Sequence, residues 1–455
     1  MSNSSTPLPQ GPLVAFYGDD FTGSSASMEA FAWQGLKSVL FLDLPSPERL
    51  AEFADYRCIG VAGIARSKSP QWMDAHLPAI FRRLAQTGAP IIQYKVCSTF
   101  DSAPQTGSIG KAADIGAGLF PGPIAMLVGD LGMGRLQVFG HLFAQASGTY
   151  FRLDRHPTMA KHPSTPMQEA DLARHLSLQS GLPVANVSFL ELKRGDAAES
   201  IRRNYAAGSR IFSIDLIDEE TSRAAGEAIW TTGEKQKFVI GSQGVQSALA
   251  ACWRAEGVLT APPVETSVRA VDRIAVVSGS VSPMTEEQIA YAVSRGFEGI
   301  RLDLRQVSDP QAWDAELHRA VATCKAALSE GRDPLVFTAR GPGDPAVREM
   351  KDRYRHDPQA AEAVNDRIGS SLGQILDSLI AETGLKRVVL SGGDTSSHAA
   401  LNLQIDALTS VAKLAPGGPL CRAHSENPSR NGIEIAMKGG QVGAADYFVT
   451  ARDGQ

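Results

Sequence analysis

Several short segments of this 455-residue chain carry side chains able to do chemistry. The first is Gly18-Asp19-Asp20-Phe21-Thr22-Gly23-Ser24-Ser25, which follows the apolar run 13–17 and precedes a helical pattern reaching about Trp33. An acid at a helix N-terminus is stabilised by the dipole by roughly 0.3–1 kcal/mol, so capping accounts for one of the two aspartates. The second is more than capping needs and can face a ligand hydroxyl. Another segment, Lys95-Val96-Cys97-Ser98-Thr99-Phe100-Asp101-Ser102, crowds an amine, hydroxyls and a thiol at the end of the strand-like run 91–96. A third, Ser391-Gly392-Gly393-Asp394-Thr395-Ser396-Ser397-His398, follows the apolar triplet 388–390 and precedes a helical start at Ala399. A glycine-rich loop at a helix N-terminus leaves backbone N–H groups pointing outward, a cradle for phosphate oxygens. Asp394 could hold a magnesium ion bridging those phosphates, since hard cations prefer carboxylate oxygen. Read alone, the string fits a tight turn with a Ser/Thr cap equally well.

The elements that must position these groups alternate. Strand-like runs recur at 39–42, 58–64, 124–128, 184–189, 210–215, 238–240, 274–277 and 335–338, separated by helical patterns such as Pro70–Ala85. Ile368, Leu372, Ile375, Leu376, Leu379 and Ile380 form one helical stripe, with Asn365 as the expected N-cap and Gly384 as the stop. Alternation predicts an α/β protein with largely parallel sheets, in which ligands sit beyond the carboxyl ends of the strands. The length argues for two domains. Residues 255–272, with Gly257, Pro262 and Pro263 and no apolar period, read as the linker between domains at 1–254 and 273–455. In the second, Ser278-Gly279-Ser280-Val281-Ser282-Pro283, Ala339–Asp344, Pro416-Gly417-Gly418-Pro419 and Met437-Lys438-Gly439-Gly440 are further small-residue corners, and together they suggest a phosphate-rich ligand. The irregular stretch Arg152–Pro166 reads as a binding loop; His156 and His162 fit no common metal spacing.

Composition narrows the class. Hydrophobic residues make up 43% and charged residues 20%, as in a globular protein. A net charge of −5 argues against nucleic acid or an anionic membrane as partner. Five scattered cysteines without a CxxC pair suggest reduced thiols and a cytoplasmic location. No apolar run reaches the ~20 residues of a membrane span, and the polar, Pro-containing start reads as a tail rather than a signal peptide. No GxGxxG follows a strand, which disfavours a dinucleotide-dependent oxidoreductase.

In their order and spacing, GDDFTGSS, SGSVSPMT, SGGDTSS and MKGGQVGAADYF resemble the four-carbon acid sugar kinases along nearly the whole chain. The resemblance implies an N-terminal domain for an acid sugar, a C-terminal domain for ATP, and the active site in the cleft between them. It places Asp19, Asp20, Arg66, Lys95, Val96, Cys97 and Ser98 at the acid sugar. Ser280, Ser282, Gly392, Gly393, Asp394, Thr395 and Gly439 fall at the nucleotide. Asp20 is the expected base, Asp394 the expected magnesium ligand, and Arg66 the expected two-pronged grip on a substrate carboxylate. The partners implied are a small acid sugar and ATP with Mg2+; homo-oligomerisation is left open. One departure stands out: the usual KxDSTxRG segment has Cys97 for its acid and Asp101 for its arginine. The variant resembles the branch acting on keto or branched acids such as 3-oxo-isoapionate. The rival reading is a nucleotide-regulated sensor that binds a sugar acid without turnover, for which no general base is needed.

Overall fold

The structure, a computed structural model, describes residues 7–146, 148–162, 165–264, 267–393 and 398–454. The chain forms two compact units, Met1–Val264 and Glu265–Gln455.

In the first unit the main-sheet strands are β1 (Val14–Gly18), β2 (Ser38–Phe41), β3 (Cys58–Val61), β4 (Ile91–Lys95) and β5 (Ile124–Leu127). A small sheet then intervenes, made of β6 (Arg135–Val138), β7 (His141–Ala146) and β8 (Thr149–Arg152). The main sheet resumes with β9 (Val184–Val187), β10 (Ile211–Ile214) and β11 (Lys237–Gly241). Its order is β2-β3-β1-β4-β11-β5-β10-β9, parallel at every pairing. Central strands such as β1 and β4 are buried at every residue, as expected when helices cover both faces of a parallel sheet. The helix Pro70–Ala85 shows how: Ser69 caps it, Pro70 opens it, and Met73, Leu77, Phe81 and Leu84 form its buried stripe. After β1 the chain turns toward β2; after β4 it crosses the other way, to β5. The carboxyl ends of β1 and β4 therefore flank a topological switch point.

The antiparallel sheet β6-β7-β8 interrupts this alternation, and the sequence pattern did not announce it. Its first hairpin turns at Phe139 and Gly140, both with positive φ. Asp215 clamps that turn to the main sheet, accepting from the N–H groups of Phe139 (2.6 Å) and Gly140 (2.9 Å).

The second unit contains β12 (Ala275–Ser278), β13 (Glu298–Arg301), β14 (Pro334–Phe337), β15 (Arg387–Ser391), β16 (Ala407–Ala415), β17 (Gly418–His424) and β18 (Glu434–Lys438). Their order is β13-β14-β12-β15-β18-β17-β16. The first five are parallel, while β17 runs antiparallel to both neighbours. Pro416-Gly417 is thus the turn of a hairpin joining β16 to β17, not a strand-to-helix corner; Ala415 pairs with Gly418 across it. The switch point lies between β12 and β15. The predicted helical stripe belongs to a helix over Pro358–Thr383, longer than expected. Its N-cap is Asp357, which accepts from Ala360 N–H at 2.9 Å; Asn365 lies inside the helix. Gly384 ends it in the left-handed region as predicted (φ 69°).

Arg387 opens β15 with 2% exposure. Its guanidinium donates to Glu434 (2.8 and 2.6 Å) and to the carbonyls of Arg269 (2.8 Å) and Ala451 (2.7 Å). It therefore ties β18, the segment entering the unit and the C-terminal helix to one strand. Breaking a buried pair from one side costs about 3–5 kcal/mol. Arg387→Met should lower the second unit's unfolding free energy by that amount, read as a lower urea midpoint, and Arg387→Met with Glu434→Leu should recover part of it. An unchanged midpoint in the single variant would contradict this role.

Candidate functional site

At the β1/β4 switch point the first unit gathers four charged side chains, three of them buried and Arg66 partly buried. Asp19, Asp20 and Lys95 are 1%, 4% and 1% exposed. Arg66 stands in the one-turn helix Ala65–Ser67 after β3. Its Nη2 lies 2.8 Å from Asp19 Oδ1 and 2.8 Å from Asp20 Oδ1, and its Nε is 3.4 Å from Asp19 Oδ2. Backbone bonds fix the register: Asp19 N–H donates to the Lys95 carbonyl (2.9 Å), and Arg66 N–H to the Asp19 carbonyl (3.0 Å). The loops after β1, β3 and β4 are thereby stitched into one surface. The two-pronged grip expected of Arg66 on a substrate is already spent on these two aspartates.

The two acids differ. Asp20 is the N-cap of the helix Phe21–Ala32, accepting from Gly23 N–H (3.0 Å) and the Thr22 hydroxyl (2.7 Å). Burial opposes its charge, but Arg66, Lys95 and these donors together hold its carboxyl below the usual range. For Asp19, burial outweighs Arg66, and Asp20 adds repulsion; its carboxyl is pushed up to about 6. Asp20, the expected base, is thus the less basic of the pair. Lys95 Nζ has its nearest carboxylate oxygen at 4.0 Å, on Asp20, and makes no hydrogen bond among the described residues.

The segment after β4 shapes the rest of this surface. Val96 is fully buried and offers only its backbone, its N–H donating to the Gly241 carbonyl (3.0 Å). Ser98 is 7% exposed, and the Cys97 thiol lies 3.0 Å from the Thr99 hydroxyl. Burial and the nearby Asp101 raise the thiol's pKa, against Arg66 and Lys95. Phe100 holds φ at 57°, a strained conformation for a bulky residue. Ser102 pins the segment through His175 Nε2 (2.9 Å) and Gln179 (2.9 Å).

Sequence reasoning passed over Arg135. Its loop closes on itself, with Asp130 and Arg135 exchanging backbone hydrogen bonds at 2.9 and 2.8 Å. Its guanidinium lies within electrostatic reach of Asp130, Asp101 and the Cys97 thiol, and burial holds its pKa below the usual arginine value. Among the described residues, Arg135 Nε and Asp101 Oδ1 are both buried without a partner. The signal available was Gly134-Arg135 at a strand end; the small sheet that holds it was not legible. His156 and His162 brace the loop Arg152–Pro166, each ring nitrogen accepting backbone N–H groups at 3.1–3.2 Å.

In the second unit the corners after β12, β15 and β18 meet. Ser282 caps the helix Pro283–Ser294, accepting from Thr285 N–H (3.1 Å), and its hydroxyl bonds to the Gly440 carbonyl. Thr285 Oγ1 lies 2.9 Å from Ser280 Oγ and 3.0 Å from the Gly440 carbonyl. Ser282 is thus engaged in structure, and Ser280 lies beneath the corner at 8% exposure. A Cβ at Gly440 would come within 2.7 Å of Ser280 Oγ, so only glycine allows this closeness. A Cβ on Gly393 would meet no atom within 4 Å, and one on Gly439 only Val442 at 3.6 Å. Gly392 N–H donates to the Lys438 carbonyl at 2.9 Å. Asp394 and Thr395 lie outside the described residues. Among the described residues no cluster of His, Cys, Asp or Glu suits a metal. A cavity of about 620 Å³ opens elsewhere, beside β13 and the helix Pro345–Arg353. Its arginines 301, 305 and 319 are paired with Asp344, Asp303 and Glu316.

The chain is thus a two-unit α/β protein with a buried acid-and-cation cluster in one unit and a corner of glycines and hydroxyl residues in the other. Residues 14–249 match the family model of a sugar-binding N-terminal domain, and residues 275–448 that of a nucleotide-binding C-terminal domain. The chain belongs to the four-carbon acid sugar kinase family. It is 44% identical over 453 residues to the 3-oxo-isoapionate kinase of Paraburkholderia graminis, covering 99% of this chain and 96% of that protein. Identity to the 3-oxo-tetronate kinase of Cupriavidus necator is 28%, covering 97% and 96%. Among solved structures, one from Salmonella typhimurium LT2 superposes with a TM-score of 0.77 at 22% identity, covering 96% and 98% of the two chains. The Haemophilus influenzae protein HI1011 gives 0.67 at 23%, with the same coverage. These likenesses support the fold. No described helix is long and apolar enough to cross a membrane.

A Cβ at Gly23 would fall 1.9 Å from Lys95 Nζ and 2.4 Å from Asp20 Oδ1. Gly23→Ala should therefore displace the flexible ammonium while keeping the helix, since alanine is the better helix former by ~1 kcal/mol. Acylation of Lys95 by an amine reagent, mapped by mass spectrometry, should speed up several-fold in the variant. Equal rates would contradict the packing described.

Proposed function

We propose that this protein is an ATP-dependent kinase that phosphorylates a hydroxyl of a 3-oxo acid sugar, of the 3-oxo-tetronate or 3-oxo-isoapionate type. The observation that carries the reading is the buried Asp19–Asp20–Arg66–Lys95 group in the unit matching the sugar-binding domain. Its two carboxylates are balanced by two cations, one of which lacks a hydrogen bond within the described protein. End-to-end similarity to kinases acting on 3-oxo acids supports the same conclusion.

The substrate hydroxyl attacks the γ-phosphorus, the bond from that phosphorus to the ADP oxygen breaks, and the hydroxyl proton must leave. Asp19 is the fitter acceptor, because its raised affinity for a proton matches a base working near neutrality. Asp20 orients the helix and holds Arg66. Lys95 supplies the charge for the substrate carboxylate, as Arg66 is engaged internally, and Arg135 offers a second cation beside Cys97 and Asp101. Magnesium enters as part of the nucleotide substrate, with Asp394 as its expected protein ligand; it neutralises charge on the phosphates.

A thiol at position 97 accepts hydrogen bonds poorly and leaves an uncharged wall where the family pattern has a carboxylate. A hydroxyl that finds no acceptor in such a wall is discriminated against by on the order of 10²-fold. In an ADP-release assay, 3-oxo or branched acids should turn over, whereas D-threonate and D-erythronate should be poor, and excess EDTA should stop the reaction. D-threonate as best substrate would sink the specificity reading. Nucleotide and acid binding without ADP release would favour the sensor.

The base has its own test. With Asp19 unprotonated as the active form, kcat/KM should fall below about pH 6, approaching tenfold per pH unit. Asp19→Asn should lower kcat by roughly 10²-fold or more and remove this limb. Retention of the limb in Asp19→Asn would assign the base elsewhere.

A further inference from the structure

Lys438 is the last residue of β18 and has no exposed surface. Its Nζ lies 3.2 Å from Ser391 Oγ and 3.4 Å from Thr285 Oγ1, and 5.9 Å from the ring centres of Tyr447 and Phe448. It thus touches both corners that frame the anion site: Ser391 precedes Gly392-Gly393, and Thr285 bonds to the Gly440 carbonyl. No carboxylate oxygen among the described residues lies within ion-pair distance of it. On the elements packed around it, Glu286, Glu287 and Asp446 are exposed. Arg387 and Glu434, at the far ends of β15 and β18, pair with each other, and Arg452 pairs with Asp333 and Asp453. The Tyr447 hydroxyl donates to the Gly418 carbonyl at 3.2 Å.

An ammonium buried with hydroxyls and rings but no counter-ion is unfavourable, and this burial lowers its pKa to about 7. A charge brought near it in this low-dielectric setting interacts strongly. We propose that Lys438 is the buried counter-charge of the nucleotide's phosphates, taking a proton from solvent as the phosphates bind and acting as a positioning residue. The inference rests on the nucleotide reading of this corner and adds to it a proton linkage.

The test is calorimetric titration of the full chain with ADP at constant magnesium. It is run from pH 7 to 9, where the phosphates are ionised, in buffers of different ionisation enthalpy. In the wild type, up to about one proton should be taken up per ADP, with affinity falling toward tenfold per pH unit as the free amine predominates. Lys438→Met should bind at least about tenfold more weakly at pH 7, with no linked proton and a flat pH profile. Lys438→Arg, always charged, should also lose the uptake and the pH dependence. A flat wild-type profile without uptake overturns the inference alone, as does undiminished uptake in Lys438→Arg. No ADP binding at any pH overturns the nucleotide reading with it.

Discussion

Two carboxylates share one guanidinium at the carboxyl edge of the first sheet, and the pocket depends on that arrangement. Asp19 and Asp20 are adjacent in the chain and buried, so without Arg66 their repulsion and desolvation would both oppose ionisation. Arg66 reaches Asp19 through two nitrogens and Asp20 through one. It can do so because its backbone N–H is bound to the Asp19 carbonyl. Lys95 completes the balance. The resulting neutrality is local: it leaves one acid with a raised affinity for protons, the other tied to a helix, and one buried ammonium without a hydrogen bond among the described residues.

The second unit solves a related problem by other means. Its corner is built from backbone, hydroxyls and small residues, with Ser280, Ser282 and Thr285 gathered around the Gly440 carbonyl. Donors of this kind suit phosphate oxygens, which several N–H groups can approach at once. The one buried cation there is held without an acid among the described residues. The contrast is physical: at the first unit's cluster two cations face two carboxylates, whereas Lys438 at the second unit's corner faces hydroxyls and rings, with no carboxylate among the described residues within ion-pair distance.

The loop after β4 is held at both ends, by Val96 N–H on the Gly241 carbonyl and by Ser102. Ser102, His175 and Gln179 anchor its far end through mutual hydrogen bonds. Cys97 and Asp101 sit between those anchors and Lys95, with Phe100 fixed in a strained conformation between them. Arg135, presented from another segment, lies within electrostatic reach of both Cys97 and Asp101.

Much of this was legible in the sequence. Alternating apolar runs and helical stripes identify two α/β units, because parallel strands buried on both faces must be apolar and their covering helices must be amphipathic. Asp19, Asp20 and Lys95 stand out because they follow such runs immediately, at the edge where ligands bind. Tertiary structure decided what the local pattern does not encode. It engaged Arg66 with the aspartates, separated the two acids by burial and capping, and turned Val96 into core. It made Pro416-Gly417 a hairpin, moved the N-cap from Asn365 to Asp357, and brought Arg135 beside Cys97 across about forty residues of chain. Each outcome depends on which distant groups meet in a low-dielectric interior. That meeting is set by strand order and loop packing, whereas residue type and spacing determine only what each group can do once it is there.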